Sequence, residues 1–350
     1  MSYRSQTRMN KTAHDSFITI KKQITLMKKI FLKRSLLVAI AIISAATTLT
    51  SFKEKEVKPA PADLSGTINI SGAFALYPIT VKWAQEFKKI HPNVVFNISA
   101  GGAGKGITDA LSGLVDIGLA SRDIAPEEIK KGAYTVYVTK DAVVPTFNTS
   151  NPNAALLESK GVKRDQFLNV FVTGNIKNWN QLGGNVSVPI HIYTRSDAAG
   201  AAETWAKYFN KKQEDLLGVG VYGDPGLAQA VKKDVTGIGY NNLAYLYDLK
   251  TRKQVAGVHA LPIDVNGNGK IDPNENFYDT IDHLTDAIAD GRYPAPPARN
   301  LGFLFKGKPK KPELVEFVKY VLTEGQKFVD ENGYIVLSKQ KLAEELKKVN

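Results

Sequence analysis

Residues 67–121 read TINISGAFALYPITVKWAQEFKKIHPNVVFNISAGGAGKGITDALSGLVDIGLAS, and the order of elements in this stretch decides the fold class. A short β-branched run (TINIS) enters a loop of Gly and small residues. A helical pattern follows in which Ile79, Trp83, Phe87 and Ile90 recur at helical spacing, with Pro78 suited to a first turn. The unit then repeats as VVFNIS, the loop AGGAGKG, the helix ITDALSGL and the strand VDIGLAS. Farther along, DAVVPTFN (141–148) reads as a strand, and IHIYTR (190–195) passes through SDAAG into the helix AAETWAKYFN (201–210). VGVYGDPGLAQAVKKDVTGIGY (219–240) gives strand, helix and a buried strand whose glycines suit close backbone approach. LGFLFKG (301–307) and a helix over 311–324 close the pattern. Strands alternating with helices argue for an α/β fold of mostly parallel sheets covered on both faces. At 350 residues, 43% of them apolar, the chain is long enough for two such lobes.

The formal charge of +12 resembles a nucleic-acid footprint until it is located. Residues 1–52 hold nine Lys/Arg against Asp15 alone, which leaves 37 basic and 33 acidic residues in the remainder, so no nucleic-acid partner is expected. Lys28, Lys29, Lys33 and Arg34 precede the uncharged run SLLVAIAIISAATTLTS (35–51), the charged and apolar parts of a secretory leader. Residues 1–52 are therefore expected to be a leader, starting at Met1, Met9 or Met27 and cut ahead of Thr47 or kept as an anchor. Residues 53–65 (KEKEVKPAPADLS) read as a solvated linker. The chain has no cysteine, which excludes disulfides, thiolate metal sites, a Cys nucleophile and a lipidated Cys. The expected location is periplasmic or otherwise exported.

Three strand-to-helix junctions bear on chemistry, because the first turn of a helix carries unpaired N–H groups and a partial positive charge. They are residues 71–76 (SGAFAL), 101–106 (GGAGKG) and 195–200 (RSDAAG). Gly and Ala in the second and third let backbone approach a ligand, and Arg195 at a strand end can grip two oxygens of one anion.

Ser71–Pro78, the run GGAGKGI with DIGLASR (116–122), FVTGNIKNWNQLGG (171–184), GIGY (237–240) and GQKFVDENGY (325–334) resemble, in order, successive signatures of the PstS-like phosphate-binding proteins. The resemblance implies a type II periplasmic-binding-protein fold: two lobes joined by two crossing strands, closing on a dehydrated anion and delivering it to ABC-transporter permease subunits. It divides the chain into lobe I (66–142 and 248–350, with an insertion at about 262–298) and lobe II (143–247). It also implies phosphate, or a similar oxyanion, held by Ala75, Leu76 and Tyr77, by Ala103, Gly104 and Lys105, by Ser121 and Arg122, and by Arg195, Ala199, Gly200 and Ala201, in a monomer that catalyses nothing. Replacing Arg195 is expected to remove binding and leave the fold intact. Family members usually offer hydroxyls where this chain has Leu76, Ala103, Ala199 and Ala201, and the proton-accepting Asp falls on Ser121. Selectivity for phosphate over sulfate is accordingly expected to be weak.

A second motif is independent of the family. Residues 264–275 (DVNGNGKIDPNE) match a calcium loop, with Asp264, Asn266, Asn268, the Lys270 carbonyl, Asp272 and Glu275 as oxygen ligands. No clear helix precedes it, so a structural Ca²⁺ clip is expected rather than a switching pair. The five histidines show no ligand spacing, and Trp83, Trp179 and Trp205 stand at apolar, core-like positions. Gly104-Lys105 lacks the first Gly and the Ser/Thr of a P-loop. Rival readings are a secreted phosphohydrolase using the same cradle, which lacks an evident nucleophile–base pair, and a calcium-stabilised surface protein without transport function.

Overall fold

The structure, a computed structural model, describes residues 64–350. The leader and nearly all of the linker lie outside the described residues. In chain order, β1 (Gly66–Gly72), α1 (Tyr77–Ile90), β2 (Val94–Ala100), α2 (Ala103–Ser112) and β3 (Ile117–Ala120) form the first half-lobe, followed by the short α3 (Pro126–Lys130). Next come β4 (Ala133–Asn148), α4 (Ala154–Lys160), β5 (Val162–Lys163), α5 (Arg164–Phe171), β6 (His191–Arg195) and α6 (Gly200–Tyr208). The rest comprises β7 (Val219–Val221), α7 (Gly223–Lys233), β8 (Gly237–Asn242), α8 (Leu243–Leu246), β9 (Val258–Ala260), β10 (Ile263–Asp264), α9 (Ile281–Asp290), β11 (Ala298–Lys306), α10 (Pro312–Leu322) and α11 (Lys339–Val349). Pro78 stands in the first turn of α1, whose buried stripe of Ile79, Trp83, Ala84 and Phe87 faces the sheet, and Lys88 and Lys89 complement its C-terminal dipole.

One sheet runs through the described residues in the order β2-β1-β3-β11-β4-β8-β6-β7, with β9 also on β4. β1 is parallel to β2 and β3, and β6 is parallel to β7 and β8. Between these parallel groups lie two long antiparallel strands, β4 and β11. β4 is the first crossing: residues 133–142 pair with β11 and residues 143–147 with β8. It is only partly buried up to Lys140, apart from Val136, Val138 and Thr139, and continuously buried from Asp141 onward, as expected of a strand that passes into an environment covered on both faces. It is twice as long as the DAVVPTFN segment legible in the sequence, and begins at Ala133.

Two large apolar clusters define the lobes. The first joins β1–β3 and α1 to Leu301, Phe303, Phe305 and the C-terminal helices. The second runs from Ala142 to Ala298, with Ile335 added, and includes Trp179 and Trp205. The expected boundary at 248 is therefore corrected. Val258, Phe277, Tyr278, Ile281, Leu284 and Tyr293 pack in the second cluster, β9 pairs with β4, and the Tyr293 hydroxyl donates to the Val143 carbonyl at 2.6 Å. The return crossing is at Ala298, and the calcium-loop segment belongs to the second lobe.

Candidate anion-binding site

The first turns of α2 and α6, one from each lobe, meet face to face. The Gly104 N–H donates to the Ala198 carbonyl at 2.9 Å. A Cβ on Gly104 would stand 2.5 Å from the Ala198 Cβ, one on Gly102 2.6 Å from an Asp197 carboxylate oxygen, and one on Gly200 2.1 Å from the Ser121 hydroxyl. The glycines of GGAGKG and SDAAG thus bring the lobes closer than side chains allow. Ala103, Ser121, Ala199, Gly200 and Ala201 are all buried here.

The first junction behaves differently. Leu76 and Ala75 are buried in the first apolar cluster, and the Leu76 and Tyr77 N–H groups donate to the Ala73 carbonyl at 3.1 and 3.2 Å. The Ala75 carbonyl accepts the Tyr334 hydroxyl at 2.7 Å. This turn closes on itself, because three residues of tight turn precede α1, and it does not offer those two amides to the cleft. In the third junction the Ala199 N–H is taken by the Gln213 side-chain oxygen at 3.0 Å. Lys105 points out to solvent and pairs with Asp109, which also accepts the Ser71 hydroxyl at 2.7 Å.

Arg195 lies beside these turns with its side chain 1% exposed. Its Nε and Nη2 grip Asp197 at 2.8 and 2.5 Å, its Nη1 pairs with Asp224, and the Phe74 ring of the other lobe lies 5.3 Å from the guanidinium carbon. Of the five guanidinium N–H groups, three are committed and two remain. Burial lowers the Arg195 pKa, but Asp224 and Asp197 outweigh it and hold the group charged. Burial pushes the Asp224 carboxyl up. The expectation that Arg195 can be removed with the fold intact is corrected here, since its loss would strand two buried carboxylates. Arg122 is tied within its own lobe to Glu128 at 2.7 and 2.9 Å and to the Asp123 carbonyl at 2.8 Å. It borders an interlobe cleft of about 1090 Å³, which also touches Ala199, Glu203, Lys207, Lys212 and Arg299. Sequence reading missed Asp197, Asp224, Asn242 and Phe74. Asp197 was visible two residues after Arg195, and Asp224 in the first turn of α7; their pairing was not, because it depends on tertiary placement.

The residues of the 264–275 loop fit a hard cation. Both oxygens of buried Asp264 accept backbone N–H groups, from Gly267 at 2.7 Å and Gly269 at 2.8 Å, and Glu275 folds back to accept from Val265 and Asn266 at 3.0 Å. Asn266 and Asn268 converge on Asp272, which Lys270 contacts at 2.9 Å. Gly267 and Gly269 take φ of +75° and +84°, the conformations a tight oxygen cage demands. Among the described residues no three His, Cys, Asp or Glu side chains are grouped to hold a metal by themselves, so an ion here would draw on the Asn amides and the Lys270 carbonyl as well. β10 precedes the loop and pairs with β5, so no helix enters it.

A two-lobed α/β protein whose lobes approach through glycine-lined helix N-termini defines the class of periplasmic-type binding proteins. Residues 57–325 match the PBP superfamily domain, and the chain belongs to that family. The phosphate-binding protein PstS of Bacillus subtilis is 32% identical over 202 residues, covering 57% of this chain and 62% of that relative. PstS of Methanocaldococcus jannaschii is 26% identical over 314 residues, covering 74% and 79%. Among solved structures, one assigned as a phosphate ABC-transporter substrate-binding protein with bound phosphate, from Clostridium perfringens, shares the fold with a TM-score of 0.64 at 24% identity, covering 78% of this chain and 100% of that one. An ABC-type phosphate transport receptor from Vibrio cholerae does so at 0.58 and 20%, covering 77% and 100%.

Proposed function

We propose that this chain is an exported binding protein that captures phosphate or a related oxyanion between its lobes and delivers it to ABC-transporter permease subunits without turnover. The observation that carries this reading is the meeting of the α2 and α6 first turns through Gly102, Gly104 and Gly200. The N-termini of α2 and α6 bring their partial positive charges together at one interlobe point, where an anion is favoured, although the Gly102 and Gly104 N–H groups are themselves taken by the Gly72 and Ala198 carbonyls. The names of the curated PstS relatives support the same ligand. Arg195 adds two free donors, but its charge is already balanced by Asp197 and Asp224. The amides of the two first turns other than those of Gly102, Gly104, Gly106 and Ala199, with the Ser121 hydroxyl, therefore do most of the holding. With Ser121 where a carboxylate acceptor would favour a protonated ligand, discrimination between phosphate and sulfate is weak.

Calorimetric titration with orthophosphate, sulfate, arsenate and molybdate between pH 5 and 8 tests this, alongside an assay for phosphate release from a phosphomonoester. Binding without release is expected. Absence of heat with every anion, or release of phosphate, overturns it. Ca²⁺ at residues 264–275 is part of the same proposal, as a structural clip on the second lobe. N-terminal sequencing of exported material tests the leader, with a start between Thr47 and Lys53 expected.

A further inference from the structure

The two crossing strands carry a charge pair that the anion site does not use. Arg299 on β11 and Asp141 on β4 are register partners, and the Arg299 Nε and Nη2 bind Asp141 at 2.8 and 3.2 Å. The same guanidinium donates from Nη1 to the Thr204 hydroxyl on α6 at 3.0 Å and from Nη2 to the Asn242 side-chain oxygen. The Asn242 amide nitrogen donates to Asp224, and Asp224 receives Arg195. Asn242, Asp224, Asp141 and Thr204 are each no more than 5% exposed, and the Arg195, Asp197 and Arg299 side chains no more than 8%. Five side chains thus connect the hinge to the cleft through low-dielectric interior, where each bond is strong and a broken one is costly.

Asn242 is the link that chemistry singles out. It must accept from a guanidinium on one side and donate to a carboxylate on the other, and an amide is the side chain that does both without charge. A carboxylate there would face Asp224; an apolar isostere would release both neighbours.

We propose that Asn242 is a positioning residue, which with Asp224 locks the Arg195 guanidinium to the Asp141–Arg299 pair, so that the orientation of Arg195 at the cleft is set by the hinge strands. This rests on the anion-site reading of Arg195, but part of its test needs no ligand. The Nε–H resonance and guanidinium rotation of Arg195, read by ¹⁵N NMR on the ligand-free protein, should show slow rotation in the wild type and faster rotation in Asn242→Leu. Orthophosphate affinity should fall about 10-fold or more in that variant. Arg299→Lys, which keeps the charge but cannot reach Asp141, Asn242 and Thr204 together, should do the same and should not add to Asn242→Leu in the double variant; it also serves if Asn242→Leu does not fold. Thr139→Val removes a buried hydrogen bond, 2.9 Å to the Ile335 carbonyl, that touches no member of this chain of contacts, and should leave Arg195 unchanged. The proposal is overturned by unchanged Arg195 rotation in both Asn242→Leu and Arg299→Lys, or by the same change in Thr139→Val. If no anion binds the wild type, the functional reading falls and the NMR comparison still decides this one.

Discussion

Gly200→Ala isolates lobe closure from lobe stability. The new methyl would sit 2.1 Å from the Ser121 hydroxyl, 2.5 Å from its carbonyl oxygen and 2.8 Å from its carbonyl carbon. Two of those atoms are backbone at the end of β3, and Ser121 is 2% exposed, so the obstruction cannot swing aside. Restoring ordinary contact requires the lobes to part by roughly 1 Å. Overpacking of this kind costs about 1–3 kcal/mol, which corresponds to roughly 5- to 150-fold weaker anion binding if closure and binding are one step. Gly200 opens α6 without a left-handed φ, so Ala suits its backbone and improves helix propensity by up to about 1 kcal/mol. The expected result is weaker binding with an unchanged or higher melting temperature in the ligand-free protein. Gly113→Ala is the mirror case: nothing lies within 4 Å of its Cβ, but φ is +79°, so it should lower melting and leave affinity alone. Calorimetric Kd values for orthophosphate, set beside melting curves, provide the readout. An affinity for Gly200→Ala within twofold of wild type would refute closure through this contact.

Arg195→Met should lower stability by about 3–5 kcal/mol by stranding Asp197 and Asp224, and adding Asp224→Asn should recover part of that loss in denaturant titrations. If residues 264–275 hold Ca²⁺, a chelator should lower the melting temperature and Asp264→Ala should abolish the dependence; saturation at 100 times Kd is worth about 2.7 kcal/mol. Burial raises the Glu128 carboxyl, but Arg122 and the Ala125 N–H outweigh it and hold it below its ordinary 4.5. Its contribution is therefore complete above that value and lost as pH falls through the lower folded one. Arg122→Gln should shift the acid-unfolding midpoint upward, and an unshifted midpoint would discount the pair.

The parallel strands and amphipathic helices were legible because each is a local pattern: the stripe from Ile79 to Phe87 and the β-branched runs need only neighbours in sequence. The Asn/Gly-rich turn at residues 264–275 was legible for the same reason. The lobe boundary was not, since residues 248–298 alternate polar and apolar without saying which core receives them; only the pairing of β9 with β4 and the burial of Phe277 and Tyr293 decide it. Family resemblance singled out Arg195, Gly104 and Gly200, which the structure places near the contact between the lobes. It could not show that Leu76 and Tyr77 spend their amides in a local turn on Ala73, or that Asp224, far off in sequence, joins Asp197 in balancing the charge of Arg195.

The placement of β11 between β3 and β4 bears on how the chain acquires its structure as it is synthesised. The second apolar cluster is built almost entirely from residues 142–298, so it can collapse once that stretch has emerged. The first lobe cannot, because β3 and β4 remain open edges until residues 298–306 insert between them. Closing that gap joins segments more than 150 residues apart, a slow, high-contact-order event that leaves unpaired strands exposed in the meantime. An elongating chain therefore stays half-built until residues 298–306 have emerged, with β1–β3 unable to lock into a finished sheet.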